Sequence, residues 1–314
     1  MSTTPHSSPD ASLSDREATS AGARSRSSAG LVYAIGANAL WGILPLYFVA
    51  LEPTGPLELV AWRIVFSLVF CVLVLTVMRS WRRLVAIVRR PRALLILGVS
   101  GVLIYVNWQT FIIGALGGHV VETALGYFIT PIVTVFLGVF LFGERLGVTQ
   151  WVAIGLAAAA VAVLAIGYGS VPWIALILAF SFGTYGYVKK RVGDRVDALS
   201  GLTIETAWLV PVAVVQLIVV GVAGNLTLGQ AGPWHTVLLA SAGVVTAVPL
   251  LLFAAGARRL PLVYMGFVQF VCPVLQFVVG VFILHEEMPL QRWIGFALVW
   301  AALIVLMLPR RRRA

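Results

Sequence analysis

Residues 101–146, GVLIYVNWQTFIIGALGGHVVETALGYFITPIVTVFLGVFLFGERL, decide the fold because the chain repeats them. Displaced by 142 residues and without a gap, they match residues 243–288, GVVTAVPLLLFAAGARRLPLVYMGFVQFVCPVLQFVVGVFILHEEM. The identical positions in the first copy and its continuation include Gly101, Phe111, Gly114, Ala115, Phe128, Pro131, Gly138, Phe140, Glu144 and Trp151. Self-similarity at one fixed offset predicts a duplicated structural unit.

Apolar segments fill most of the chain. Hydrophobic residues make up 60% of the sequence and charged residues 11%, whereas soluble domains carry about 25% charged residues. A membrane span needs about 20 apolar residues, and ten such segments occur: residues 31–50, 58–78, 93–116, 119–142, 148–167, 172–188, 199–223, 235–257, 261–284 and 290–308. Barrel strands would alternate apolar and polar residues. The sequence therefore predicts an all-α integral membrane protein with about ten transmembrane helices.

The basic residues indicate how these helices are oriented. The formal net charge is +10, but Lys and Arg lie between the apolar segments, which favours contact with membrane lipids over a nucleic-acid partner. With the N-terminus in the cytoplasm, 20 of the 22 basic residues fall on the cytoplasmic side, as the positive-inside rule requires. Arg63 and Arg292 are the exceptions. We therefore predict that both termini are cytoplasmic.

The duplication divides the helices into two units of five. We predict a disordered cytoplasmic tail at residues 1–30, a first repeat at 31–167, a second repeat at 172–308 and a basic cytoplasmic tail at 309–314. Because five is odd, the second unit enters the membrane from the opposite side, so we expect inverted repeats. This plan is typical of secondary transporters, in which the solute binds between the halves.

Three stretches carry a family resemblance: ALWGILPLYF at residues 39–48, ETALGYFITP at 122–131 and IETAWLVP at 204–211. Over residues 31–308 the chain resembles the EamA family of the drug/metabolite transporter superfamily, and within it the RarD subfamily. The resemblance implies ten helices in two EamA units, an inner-membrane location, and export or permeation of small metabolites or drugs. RarD relatives carry a chloramphenicol label, which names a phenotype; nothing in these residues encodes chloramphenicol.

Polar and aromatic side chains at the depth of the spans are candidates for the solute pathway. A mixed lining of this kind suits a small amphipathic solute, and a proline inside a helix frees the carbonyl four residues earlier. The candidates are Trp41, Asn107, Trp108, Tyr127, Pro131, Glu205, Gln269 and Pro273. Interhelical hydrogen bonds and simple helix kinks explain the same residues structurally, so we expect a subset to line the path.

Arg63 and Glu122 are ionisable residues in the outer half of their spans. Arg63 is expected about 8 Å below the outer boundary and Glu122 about 5 Å below it. Because a lone charge at that depth is costly, we predict that they pair as part of an outer gate. The alternative is that Arg63 reaches the lipid headgroups while Glu122 faces water.

We interpret the chain as a secondary transporter that moves a small solute by alternating access. No cofactor or metal is expected, because the sequence has no phosphate-binding GxxxxGK[ST] loop and its four histidines are dispersed. Cys71 and Cys272 lie in apolar spans without the spacing of a metal site. The sequence is compatible with a homodimer but does not require one. The alternative is a polytopic membrane protein without transport activity: a receptor, a scaffold or an intramembrane enzyme.

Overall fold

The computed structural model describes residues 28–142, 147–168, 171–192, 196–257, 259–260 and 267–307. Within these ranges the regular structure is helical throughout, with no β-strand. A helix satisfies its backbone hydrogen bonds internally, which is what a segment surrounded by lipid requires. The predicted C-terminal tail at 309–314 lies outside the described residues. Residues 28–30, which the sequence analysis assigned to the N-terminal tail, already belong to the first helix.

The first repeat contains seven helical pieces. They are α1 (28–42), α2 (Leu44–Val49), α3 (Pro56–Val77), α4 (Trp81–Val88), α5 (Pro91–Leu116), α6 (Val120–Phe142) and α7 (Val148–Tyr168). The short α4 lies in the arginine-rich connection between two long apolar helices and exposes its arginines.

The second repeat follows the same order. It comprises α8 (Trp173–Val192), α9 (Ala198–Val222), α10 (Pro233–Ala240), α11 (Ala242–Ala257), α12 (Val271–Val278), which continues as a π-helical turn (Val279–Ile283), and α13 (Leu290–Met307). Helices that begin at Pro56, Pro91 and Val148 have counterparts that begin at Ala198, Pro233 and Leu290, each 142 residues later. Proline is favoured in the first helical turn because the backbone N–H that it lacks has no partner there.

Seven helical segments in the described part of the chain are long and apolar enough to cross a bilayer. They are Pro56–Val77, Pro91–Leu116, Val120–Leu137, Val148–Ile166, Ala198–Val222, Pro233–Gly256 and Leu290–Met307. The prediction of a multi-pass, all-α membrane protein is therefore confirmed. The other three predicted spans differ from these seven. The first is divided at Ile43 into α1 and α2, and the sixth contains α8, which carries the basic run KKR at 189–191. The ninth contains α12, which is a shorter apolar helix.

Two pairs of equivalent helices, α3 with α9 and α6 with α12, pack against each other in antiparallel orientation. Glu58 at the start of α3 contacts Thr227 beyond the end of α9, and Glu286 beyond α12 contacts Val120 at the start of α6. The rings of Phe128 and Phe270, which are equivalent by the 142-residue offset, stack with centroids 6.4 Å apart and an interplanar angle of 18°. Phe128 therefore contacts its own counterpart in the second repeat.

Two hydrophobic clusters form the core of the molecule. The larger one joins α2, α3, α5, α9 and α11, and the second joins α6, α7, α12 and α13. Side chains of α8 contribute to both clusters. The candidate site residues are distributed along the larger cluster and its border with the second.

Candidate functional site

Arg63 is buried in α3, with 4% of its surface exposed. Its Nε donates to Thr246 Oγ1 of α11 at 2.8 Å, and that hydroxyl in turn donates to the carbonyl of Ala242 at 2.7 Å. The guanidinium lies over the ring of Trp108 at 4.3 Å and near the ring of Phe48 at 5.6 Å. Its Nη1 is buried and has no hydrogen-bond partner among the described residues. The contacts of Arg63 are therefore with neutral groups.

A chain of aromatic rings leads away from Arg63 through the larger cluster. Phe48, Phe111, Tyr127, Phe182 and Tyr185 follow one another with ring centroids 5.9, 5.8, 5.8 and 5.9 Å apart. We call these five residues the aromatic chain. Edge-to-face and offset aromatic pairs at such spacings are attractive, so the rings form a continuous set of apolar contacts across four helices.

Asn107 and Tyr127 are brought together beside the aromatic chain. The Tyr127 hydroxyl donates to Asn107 Oδ1 at 2.9 Å, and Asn107 Nδ2 donates to Ser181 Oγ at 3.2 Å and to the Leu178 carbonyl at 3.3 Å. These bonds join α5, α6 and α8. The Asn107 amide and the Tyr127 hydroxyl hydrogen-bond to each other, and they place polar groups beside the middle of the apolar aromatic chain.

Glu205 lies at the far end of the aromatic chain. Its side chain is 1% exposed and accepts from Lys189 Nζ at 2.8 Å and from the Tyr185 hydroxyl at 3.3 Å. Lys189 is 31% exposed, so the ion pair is accessible on the Lys189 side and buried on the Glu205 side. A buried carboxylate that is both paired and hydrogen-bonded avoids the cost of an isolated charge. The aromatic chain therefore runs from a cation with neutral partners to an ion pair.

Trp41 lies on α1 where that helix packs against α11 and α12. Its ring is 5.5 Å from that of Phe253, and its carbonyl accepts from Gln276 Nε2 at 3.4 Å. Gln276 Oε1 is buried without a hydrogen-bond partner in the described part of the chain. Trp41 is thus part of a contact between the two repeats, although it does not belong to the aromatic chain.

Pro131 and Gln269 line one cavity of about 330 Å³ together with apolar side chains of α13. Pro131 lies inside α6, as predicted. Pro273 does not lie inside a continuous helix: α12 begins at Val271, and residues 269–270 form a turn before it. Proline cannot donate to the carbonyl four residues earlier, and for Pro273 that carbonyl belongs to Gln269, within the turn.

Arg63 and Glu122 do not form the predicted ion pair. Glu122 Oε1 accepts from the backbone N–H groups of Ile174 at 3.1 Å and Ala175 at 3.4 Å, at the start of α8. The first N–H groups of a helix lack intrahelical partners and favour a carboxylate, whereas Arg63 points toward Thr246. Equal depth placed the two residues at one level, but depth does not fix the side of the helix on which each lies.

Glu58, at the start of α3, belongs to a buried polar cluster. Its carboxylate accepts from the N–H and hydroxyl of Thr227 and from the N–H of Leu228. Thr54 Oγ1 lies 2.7 Å from Thr227 Oγ1 and 2.8 Å from His235 Nε2. An adjoining cavity of about 590 Å³ is lined by Pro53, residues 55–58, Val220 of α9 and the connection that follows α9.

Glu286 holds the start of α6 to the connection before α13. Its carboxylate accepts from the backbone N–H groups of Val120 and Val121, and Arg292 lies 3.9 Å away. The 142-residue offset makes Glu286 the counterpart of Glu144, which lies outside the described residues. Burial raises the pKa of Glu286 above its ordinary value, although the two N–H donors and the Arg292 guanidinium act to lower it.

We expect a measurable pH dependence from Glu286. A raised pKa means that the folded protein binds this proton more tightly than the unfolded chain, so the stabilisation is present at low pH and is lost as pH rises through the raised pKa. Acidification from neutral pH should therefore raise the melting temperature of the wild type relative to E286Q in detergent. The exposed neighbour provides the control, E287Q, which should follow the wild type. Identical pH profiles for E286Q and the wild type would contradict the assignment.

Sequence reasoning missed the roles of Lys189 and Thr246. Lys189 was counted among the loop charges that set orientation, whereas its ammonium pairs with Glu205 inside the protein. A signal was present in the repeat: the 142-residue offset relates Tyr47 to Lys189 and Arg63 to Glu205. In each repeat, therefore, two ionisable side chains occupy the same pair of positions: Tyr47 and Arg63 in the first, Lys189 and Glu205 in the second. This pattern indicated that Lys189 lies near Glu205.

Known proteins match the chain over nearly the whole helical region. The model of the EamA-like transporter family matches residues 28–166 and again residues 170–308. "Protein RarD" of Streptomyces exfoliatus is 46% identical over 277 residues, which cover 88% of this chain and 87% of that protein. "Uncharacterized transporter YojE" of Bacillus subtilis (strain 168) is 38% identical over 279 residues, with 88% and 92% covered.

Two further comparisons agree. "Chloramphenicol-sensitive protein RarD" of Pseudomonas aeruginosa is 31% identical over 281 residues, with 88% of this chain and 92% of that protein covered. A solved crystal structure, 19% identical, superposes with a TM-score of 0.59 over 91% of this chain and 100% of the other, which shows a shared fold. The resemblance found in the sequence is confirmed: the chain is a membrane transporter that belongs to the EamA-like transporter family, among the RarD proteins.

Proposed function

We propose that this protein is a secondary transporter that moves a small metabolite or drug-like solute across the inner membrane by alternating access. The observation that carries the proposal is the antiparallel packing of equivalent helices. The start of α3 meets the end of α9, the start of α6 meets the end of α12, and Phe128 stacks on Phe270. Such an arrangement favours two inverted repeats that rock about a site between them.

Ten transmembrane helices are part of this proposal. The seven long apolar segments would be completed by α1 with α2, by α8, and by α12 with the chain before it. The proposed repeat limits of 31–167 and 172–308 agree to within one residue with the 142-residue offset that relates the helix starts at Pro56 and Ala198. In this scheme the solute path runs along the aromatic chain between Arg63 and Glu205.

The solute class follows from the lining. Aromatic walls with a few polar groups at Asn107, Tyr127 and Gln269 suit a small amphipathic molecule. Trp41 and Pro131 lie where the two repeats meet, and with Pro273 they are proposed to move as the repeats rock. Export or permeation is the proposed direction, driven by the proton gradient or by the solute's own gradient. The proposal needs no cofactor, catalytic residue or nucleic-acid partner, and it allows a homodimer.

Flux into proteoliposomes tests the proposal. Purified protein reconstituted in liposomes should speed the entry of at least one member of a radiolabelled panel that includes chloramphenicol, benzoate and neutral amino acids. Liposomes without protein supply the control for passive leakage. A receptor, a scaffold or an intramembrane enzyme would show no protein-dependent flux of any panel member, and that result would contradict transport.

Orientation gives a second prediction. We expect a reporter fused after Ala314 to lie in the cytoplasm and one inserted near Asn225 to lie on the outer face, because the basic connections then remain cytoplasmic. Asn225 borders the cavity beside Glu58 and is exposed, so an insertion there should be tolerated. Cytoplasmic labelling of the Asn225 reporter would contradict the ten-helix arrangement.

A further inference from the structure

We propose that Arg63 binds the carboxylate of the transported solute, so that the substrates are small organic anions with an apolar or aromatic body. This inference rests on the proposed transport function and specifies its substrate class. The observation behind it is a buried guanidinium whose Nη1 has no hydrogen-bond partner and whose described contacts are all neutral.

The contacts of Arg63 leave its positive charge uncompensated. Thr246 supplies a neutral acceptor whose own proton is donated to the carbonyl of Ala242. Trp108 and Phe48 supply aromatic faces, which attract a cation. None of these groups carries a negative charge, and a bidentate carboxylate is the partner that best matches the guanidinium.

The carboxylates in the described part of the chain are engaged or exposed elsewhere. Five of them accept hydrogen bonds from other groups: Glu58, Glu122, Asp197, Glu205 and Glu286. Glu52 and Glu287 are exposed. The counter-charge for Arg63 is therefore expected to come from a bound molecule.

The two repeats differ at this position. The residue equivalent to Arg63 is Glu205, and its charge is neutralised within the protein by Lys189, which is itself equivalent to Tyr47. In the first repeat the corresponding pair is Arg63 and Tyr47, which provides no negative charge. The asymmetry leaves one net positive charge at the Arg63 end of the aromatic chain.

The surroundings of Arg63 indicate what the rest of the ligand is like. Trp108, Phe48 and Phe111 are buried, and Tyr127 is half-buried beside them. A planar apolar body would pack against these rings while its carboxylate replaced the aromatic contacts of the guanidinium. Because Phe48 and Trp108 cover Arg63 here, binding requires them to separate, which the rocking of the two repeats would allow.

A charge series of nearly isosteric ligands tests the proposal. Benzoate, benzamide and benzamidine share a phenyl ring and differ in charge at one group. At millimolar concentrations benzoate should raise the melting temperature of the purified protein in lipid-free neutral detergent, because a ligand of the folded state stabilises it. We expect benzamide to bind about tenfold or more weakly, and benzamidine to have no effect, because charge-assisted bonds are lost.

Variants of Arg63 assign the effect to this side chain. R63Q should weaken benzoate binding about tenfold or more, and R63K, which keeps the charge without the planar fork, should retain part of it. The matched control is R83Q, on the exposed face of α4, which should behave as the wild type. If R63Q does not fold, R63K keeps the assignment testable, because benzoate binding by R63K equal to that of the wild type would contradict the role of the planar guanidinium.

Three outcomes would overturn the inference. They are no response of the wild type to benzoate, an equal response to benzamide or benzamidine, and an undiminished response of R63Q. Loss of the benzoate response on adding phosphatidylglycerol would instead assign the guanidinium to a lipid headgroup and would also overturn the inference.

Flux measurements distinguish this inference from the proposed transport function. Protein-dependent flux of neutral solutes with no preference for carboxylates would reject the inference while transport stands. Benzoate binding without any flux would reject transport alone.

Discussion

Glu205→Gln should reduce solute flux about tenfold or more, because a hydrogen bond to a charged group contributes most where that group is buried. Glu205 is 1% exposed and bonds both Lys189 and Tyr185. Glutamine keeps the volume and can still accept a bond, but it leaves the Lys189 ammonium without its counter-charge at 2.8 Å. Glu205 lies at one end of the proposed solute path, so the uncompensated ammonium would change the charge that the solute meets there.

The measurement is flux per unit of protein recovered in the membrane. Glu287→Gln, at an exposed position, should leave flux unchanged. A double variant, Lys189→Met with Glu205→Gln, removes both charges. If the pair works in transport, this variant should recover the stability of the protein in the membrane without recovering flux. Full activity of Glu205→Gln at normal expression would exclude Glu205 from the mechanism.

Gly243→Ala should strongly destabilise the folded protein. A Cβ built at Gly243 lies 2.2 Å from the carbonyl oxygen of Phe66, a backbone atom that cannot rotate away. Separating α11 from α3 to admit the methyl group would disturb the Arg63–Thr246 contact between the same two helices. Overpacking in a core costs about 1–3 kcal/mol and occasionally more. We expect the upper end here because the added Cβ is bonded directly to the backbone of α11 and the oxygen that it meets belongs to the backbone of α3.

The repeat supplies matched controls for Gly243. Its equivalent is Gly101, where a Cβ would lie 3.1 Å from the carbonyl of Glu205, so Gly101→Ala should be milder. Gly155 has nothing within 4 Å, so Gly155→Ala should be neutral or slightly stabilising. Thermal unfolding in detergent ranks the three variants. Equal melting temperatures for Gly243→Ala and Gly155→Ala would contradict the close packing of α3 and α11.

Much of the fold follows from local sequence properties. Apolar length marks the spans, and the 142-residue offset relates the helix starts at Pro91 and Pro233 although the helices themselves differ in composition. The turn that interrupts the ninth span, residues 261–284, could not be predicted from the sequence. Pro131 and Pro273 occupy equivalent positions, yet only Pro273 is preceded by a turn. Proline removes the same backbone hydrogen bond at both positions, so the difference depends on the packing around each helix.

The candidate site was predicted only in part. Asn107 and Tyr127 were selected as polar groups at span depth, and their contact is found. The partner of Arg63 was not found, because depth along a helix can be counted from the sequence, whereas rotation about its axis depends on packing. Lys189 was hidden for a different reason: it begins the basic run KKR, and such runs usually mark a solvated loop.

Solute counterflow tests the central claim, alternating access, most directly. Proteoliposomes are loaded with a high concentration of the unlabelled panel solute that shows the fastest protein-dependent flux, and a trace of the labelled solute is added outside. A carrier that exposes one site to each side in turn should accumulate label inside transiently, above its equilibrium level, before the label leaks away. Protein-dependent equilibration without this transient accumulation would indicate a channel and contradict the account, and so would the absence of protein-dependent entry.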